Sequence, residues 1–176
     1  SQNIRRVYGS GVNLLEYPFS NIPKKHIFLM VSRLLKDKGI YEYINAAKKV
    51  LAERSDAKFI LIGDYDLNPS SIPKSEVENW IEKGIIEHIS FTDKVSEYLK
   101  KCRYFVLPSY REGTPRSSLE ALSSGRPIIT TNVPGCKETV INNYNGLLVP
   151  PKNSYELYLA MKKMISYKDR KINNMG

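Results

Sequence analysis

Two glutamates stand eight positions apart in the segment Pro108-Ser109-Tyr110-Arg111-Glu112-Gly113-Thr114-Pro115-Arg116-Ser117-Ser118-Leu119-Glu120-Ala121-Leu122. An apolar run stops at Pro108, a loop carries Glu112, and the pattern predicts a helix capped by Thr114 and opening at Pro115. Proline costs little at a first helical position, where its missing N–H would have no partner anyway. The free N–H groups at such a helix start form an anion site. Gly113 removes a side chain where a ligand must come close to the backbone. Glu112 would then sit beside the anion and accept hydrogen bonds from sugar hydroxyls. Glu120, a turn or more along the helix, has two acceptor oxygens that suit a vicinal diol such as a ribose. The spacing alone also fits one loop acid and one exposed helix acid. The strand-loop-helix setting and the adjacent glycine favour the site.

Cations for such an anion are present in Ser32-Arg33-Leu34-Leu35-Lys36-Asp37-Lys38-Gly39. This loop also follows an apolar run and leads into a helix. Arg33 brings a planar fork of donors and Lys38 a compact point charge, a pair able to clamp a diphosphate. Gly39 lets the chain turn into the helix. A plain polar surface turn is the other reading of these residues.

The elements that must position these loops are strands and helices in alternation. Apolar runs predict strands at His26 to Ser32, Lys58 to Ile62, Ile85 to Phe91, Arg103 to Leu107, Pro127 to Thr131 and Gly146 to Val149. Continuous apolar runs suit strands covered on both faces, as in parallel sheets. Between them, Ile40 to Glu53 has helical spacing. Ser75 with Glu78 reads as a capping box opening a helix to Lys83. Asp93 is placed to cap a helix running to Lys101, and Asn153, with Glu156, one from Tyr155 to Ile165. Arg5 to Asn13 reads as a short strand-like lead-in, and Tyr65 to Pro73 as the longest turn-rich stretch. Repeated strand-helix-strand units make an α/β, Rossmann-like, doubly wound parallel sheet of about six strands in one domain spanning residues 1–176. Ligands of such sheets bind at the carboxyl ends of the strands, where both loops lie.

The 27 Lys and Arg against 18 Asp and Glu give a net charge of +9, which suits an anionic partner without choosing among them. The cations are dispersed and not interleaved with aromatics, which argues against nucleic acid. No apolar run approaches the ~18 residues of a membrane span, and Ser1 to Tyr8 is no signal peptide. Cys102 and Cys136 fit no metal-ligand spacing and read as reduced thiols of a cytoplasmic protein.

The segment from Glu112 to Glu120 resembles the Glu, seven residues, Glu signature of family 4 retaining glycosyltransferases, which have the GT-B fold. Gly11-Val12-Asn13, Ser32-Arg33 with Lys38-Gly39, Leu61-Ile62-Gly63, Phe91 to Val95, Gly125 to Ile129, Pro134 to Glu138 and Asn145 to Val149 match the family in order and spacing. The resemblance covers nearly the whole chain. It implies the C-terminal, donor-binding half of a GT-B enzyme. Arg33 and Lys38 would bind the diphosphate and Glu112 the transferred sugar. The backbone from Gly113 through Thr114 and Pro115 to Arg116, with Ser117, would help hold sugar and phosphate, and Glu120 the ribose. Gly63 would line the donor site, and the loop Thr92, Asp93, Lys94 and Val95 would take the base, mainly through backbone groups. The leaving diphosphate would be stabilised by basic side chains and a helix N-terminus, with no metal and no other cofactor.

Asp64-Tyr65-Asp66 spells the Asp-x-Asp metal signature of a different glycosyltransferase fold, but in this setting it reads as a loop. The acceptor would bind an N-terminal domain outside this chain, so the chain alone would bind donor and turn over poorly. The form of the sequence after Glu112 resembles bacterial capsule and lipopolysaccharide transferases and favours a UDP-sugar. The basic balance fits work at the cytoplasmic face of an anionic membrane on a lipid-linked acceptor. A non-catalytic nucleotide-sugar-binding module and a GT-B sugar-nucleotide epimerase are the alternatives. The acids and cations together speak against the first, and the acid spacing against the second.

Overall fold

The computed structural model describes residues 11–176. Six strands form one all-parallel sheet: β1 (Ile27–Val31), β2 (Lys58–Ile62), β3 (Glu87–Ile89), β4 (Tyr104–Leu107), β5 (Ile128–Thr131) and β6 (Gly146–Val149). Their order is β3-β2-β1-β4-β5-β6. The chain therefore winds outward from β1 in one direction, returns, and winds outward from β4 in the other. The crevice between β1 and β4 is where connections leave to opposite faces. The helices are α1 (Ile40–Glu53), α2 (Lys74–Glu82), α3 (Val95–Lys101), α4 (Arg116–Ser123), α5 (Ser154–Ser166) and α6 (Asp169–Asn173).

The apolar runs are buried as their composition requires. Phe28, Leu29, Met30 and all of β4 are shielded from solvent. The Tyr43 hydroxyl of α1 donates to the carbonyls of Phe28 (2.9 Å) and Ile60 (3.1 Å), pinning the helix across β1 and β2. Against the apolar core stand two fully buried cations. Arg103 donates to the Pro23 carbonyl at 2.7 Å and to Asp169 at 2.6 Å, and Arg126 to the Leu99 carbonyl at 2.7 Å and the Ser20 carbonyl at 3.0 Å. These bonds tie residues 20–23, ahead of β1, to the domain, while Arg126 Nη1 is buried with no acceptor among the described residues.

Element boundaries differ from the sequence reading in instructive places. The third strand is shorter, Glu87–Ile89, because it is an edge strand and the chain leaves the sheet before Phe91, which is 78% exposed. The capping box at Ser75 does not form: Pro73, with φ fixed at −59°, takes the cap position two residues earlier and Glu78 faces Lys74 instead. Asp93 does not cap either; Lys94 takes that position, and its N–H is bound by the Thr92 hydroxyl at 3.0 Å. Pro115, not Thr114, is the cap residue of α4, and no side chain caps that helix. Asn153 does cap α5, accepting from Glu156 N–H at 3.0 Å. Of the expected lead-in strand, residues 5–10 lie outside the described residues and residues 11–13 form no strand.

Candidate functional site

The loops after β1, β2 and β4 meet at the carboxyl edge of the sheet and are fastened to one another. Tyr110 N–H donates to the Asp37 carbonyl (2.8 Å), and the Tyr110 hydroxyl donates to Glu42 on α1 (2.7 Å). Gly39 has φ +75°, and a Cβ there would stand 2.2 Å from the Pro108 carbonyl oxygen, so the two loops touch through backbone. On the other side, Leu34 N–H donates to the Asp64 carbonyl, Lys36 N–H to the Ser70 carbonyl and Ile72 N–H to the Leu34 carbonyl, all within 3.1 Å. The turn-rich stretch after β2 is thus zipped along the loop that carries Arg33.

At the crevice between β1 and β4, Lys38 Nζ lies 2.7 Å from Glu112 Oε1, and both side chains are only 15% exposed. Ser109 Oγ donates to the same oxygen at 2.8 Å. Beside them begins α4. Among the described residues, none of the N–H groups of Gly113, Thr114, Arg116 and Ser117 donates to a protein acceptor. With no side-chain cap and Pro115 having no N–H, this stretch is an open row of donors at a positive helix end. A Cβ on Gly113 would meet nothing within 4 Å, so the space over that backbone is free.

Further along α4, Glu120 is 7% exposed, not a solvent-facing acid. Burial raises its carboxyl above the usual range, opposed by Arg116, whose Nε lies 3.0 Å from Oε1. Tyr17 lies close by and is pushed up to about 12 by burial, then by the Glu120 charge.

Arg33 points elsewhere. Its Nη1 pairs with Asp66 Oδ2 at 2.8 Å, and its side chain is 67% exposed. It lines a groove of about 310 Å³ over the ends of β1 to β3, with Val31, Gly63, Asp64, Thr92 and Val95 among its walls. Gly63 is needed there for packing, since a Cβ would lie 1.7 Å from the Ser32 carbonyl oxygen. Asp93 and Lys94 are exposed and do not line the groove. Apart from Asp93, Lys94 and Glu120, the sequence-predicted residues fall into two neighbouring groups. Lys38, Glu112 and the α4 N-terminus lie over β4, while Arg33, Gly63, Thr92 and Val95 surround the groove.

Sequence reasoning gave no part to Ser109, or to Tyr17 beside Glu120. Nor did it foresee that Asp66 of the Asp-x-Asp triplet neutralises Arg33. The first two are short- and long-range contacts with no spacing signature. The third follows only once the two loops are known to be zipped together.

The sheet order, its parallel sense and its switch-point crevice define a Rossmann-like α/β domain of the GT-B glycosyltransferase type. The structure superposes on the C-terminal domain of a group 1 family glycosyl transferase, LpcC, from Francisella tularensis. The TM-score is 0.79 at 24% identity, covering 94% of this chain and 92% of that one. The family profile described as glycosyl transferases group 1 matches residues 16–175, and the chain belongs to that family. It is 34% identical over 153 residues to the N,N'-diacetylbacillosaminyl-diphospho-undecaprenol alpha-1,3-N-acetylgalactosaminyltransferase of Campylobacter jejuni, covering 87% of this chain and 39% of that protein. It is 30% identical over 125 residues to the UDP-Gal:alpha-D-GlcNAc-diphosphoundecaprenol alpha-1,3-galactosyltransferase of Escherichia coli, covering 70% of this chain and 32% of that protein. The chain thus spans 39% and 32% of the length of these two relatives. No helix among the described residues is long and apolar enough to cross a membrane.

Proposed function

We propose that this chain is the donor-binding domain of a retaining glycosyltransferase that moves a sugar from a nucleotide-diphosphate sugar, UDP-linked, to a lipid-linked or cell-surface glycan acceptor. The observation that carries the reading is the carboxylate of Glu112 held beside an open row of backbone donors at the switch point of the sheet. An anion on those donors places an attached sugar within reach of Glu112. The apolar and backbone walls of the adjoining groove suit a base. Glu120 takes the ribose, and its contact with Arg116 opens to admit the diol.

In the reaction, the bond between the anomeric carbon and the diphosphate oxygen breaks, a bond to the acceptor oxygen forms on the same face, and the acceptor's hydroxyl proton passes to the departing diphosphate. Negative charge grows on the departing diphosphate. Lys38, Arg33 and the N–H groups of α4 stabilise that charge without a resident metal or other cofactor. Both cations are already paired with carboxylates, so the row of N–H groups is the uncommitted part of the anion site. The acceptor is proposed to bind a further domain on the N-terminal side, with the assembly at the cytoplasmic face of a membrane. Two relatives named for diphospho-undecaprenol-linked substrates support a lipid-linked acceptor, and the UDP-Gal in one of those names supports a UDP donor.

Calorimetric titration of the chain with UDP, GDP and ADP, each bare and as a sugar conjugate, with and without chelator, tests the reading. Chelator-insensitive binding of one nucleotide set, tighter for a conjugate than for the bare nucleotide, is expected. Absence of nucleotide binding by a longer protein that also carries the acceptor domain would refute it.

A further inference from the structure

We infer that Ser109 is a positioning residue for the donor sugar. Its hydroxyl and the Lys38 ammonium both hold Oε1 of Glu112, which leaves Oε2 as the oxygen offered to the sugar. This rests on the donor-binding role proposed for Glu112 and adds to it which oxygen does the work and what fixes it.

Ser109 is completely buried, and its hydroxyl donates to Glu112 Oε1 at 2.8 Å. Lys38 Nζ donates to that same oxygen at 2.7 Å. A carboxylate oxygen has two lone-pair sites, so these two donors fill Oε1 and close it to a ligand hydroxyl. Oε2 accepts no hydrogen bond from any described residue. A glutamate free in a loop samples many rotamers, and ordering it on binding costs side-chain entropy. Two donors on one oxygen fix both the rotamer and the plane of the carboxylate in advance.

The serine is itself held. Thr131 Oγ1, at the end of β5, donates to the Ser109 carbonyl at 2.5 Å, and Thr131 is buried. The sheet therefore fixes Ser109, Ser109 and Lys38 fix Oε1, and Oε2 is left without a protein donor among the described residues. Lys38 alone would not suffice, because its ammonium must also answer to the diphosphate once that anion arrives. Ser109 keeps the carboxylate in place while the lysine shares its charge.

The test compares the affinity of UDP with those of UDP-galactose, UDP-glucose and their N-acetyl derivatives. If the proposed titration selects GDP or ADP, the corresponding conjugates are used. In the wild-type chain the gain from adding the sugar is measured first. Ser109→Ala is expected to keep UDP affinity within about twofold while cutting the sugar-dependent gain by roughly 5- to 20-fold. Ser109→Cys, a weaker donor in the same place, should fall between the two. In a Glu112→Ala background, Ser109→Ala should cause no further loss of that gain, because the two act through one contact. Retained UDP binding reports that each variant is folded.

Equal weakening of UDP and its conjugates in Ser109→Ala would overturn the inference and make the serine purely structural. An unchanged sugar gain, or a loss that adds to that of Glu112→Ala, would overturn it too. If wild type binds UDP but gains nothing from any sugar, the Glu112 contact and this inference fall while the nucleotide site stands. If no nucleotide binds either to the chain or to a longer protein that also carries the acceptor domain, the donor-domain reading fails on its own account.

Discussion

Gly135 touches no proposed ligand, yet replacing it with alanine should disturb the site. It lies in the turn after β5 with φ +89°, and a Cβ there would stand 1.8 Å from the Gly113 carbonyl oxygen and 2.3 Å from that of Glu112. Real Cβ atoms essentially never approach closer than 3.0 Å. One backbone must therefore retreat by about 1 Å, and backbone cannot rotate aside as a side chain tip can. The positive φ alone costs an L-residue ~1–2 kcal/mol. With the displaced turn, whose Gly135 N–H is bound by Glu138 at 2.7 Å, the total comes to ~2–4 kcal/mol. At ~2–4 °C per kcal/mol for a domain of this size, the melting midpoint should fall by ~4–16 °C. A ~1 Å shift of Glu112 and Gly113 should also weaken UDP-sugar binding by ~10- to 100-fold. Gly84→Ala is the control. It has φ +64° but nothing within 4 Å of its Cβ, so it should lose only ~1–2 kcal/mol and no affinity. Thermal melting and calorimetry on both variants decide the matter. If Gly135→Ala matches Gly84→Ala in both readings, the idea that this turn presses on the Glu112 loop is wrong.

Four other outcomes are expected. Lys38→Met should cost ~2–4 kcal/mol by stranding the largely buried Glu112 carboxylate, whereas Arg33→Met, losing an exposed pair, should cost under ~1 kcal/mol; both should weaken UDP more than uridine, and normal UDP binding by both would remove the phosphate clamp. Glu112→Ala should weaken a UDP-sugar more than UDP, and equal effects in calorimetry would remove its contact with the sugar. Burial raises the folded-state carboxyl of Glu120, so the native state holds that proton to higher pH than the unfolded chain does. Glu120 should therefore make stability fall as pH rises from the ordinary carboxylate range through the raised folded value, and Glu120→Gln should remove that component of the slope in urea melts while weakening UDP; an unchanged slope would argue against the burial. Tyr43→Phe should lower stability by ~1 kcal/mol through loss of the hydroxyl's hydrogen bonding to the Phe28 and Ile60 carbonyls, with UDP affinity unchanged in the same calorimetry, since Tyr43 lies in the core away from both loops.

The sequence determined the elements and the edge at which to look. Unbroken apolar runs such as Phe28 to Met30 and Phe105 to Leu107 have only one economical use, strands covered on both faces, and the intervening helices then enforce parallel order. It also offered Glu112, Gly113, Arg33 and Lys38 as candidates, because loop chemistry at a strand end is local in the chain. Helix starts were legible where a side chain decides, as at Asn153, and misread where proline geometry decides, as at Pro73 and Pro115. Tertiary structure alone decided which charge meets which. Lys38 is 74 positions from Glu112 and Arg33 is 33 from Asp66, distances over which no spacing rule operates. The same holds for burial. Glu120 looks like any helix acid until it is buried beside Tyr17, and nothing local marks Arg103 and Arg126 as buried until Pro23 and Asp169, and Ser20 and Leu99, supply their acceptors. Periodicity specifies which face of an element is apolar; which groups are brought together across the sheet edge depends on how the loops pack, and that is settled only when the whole chain has folded.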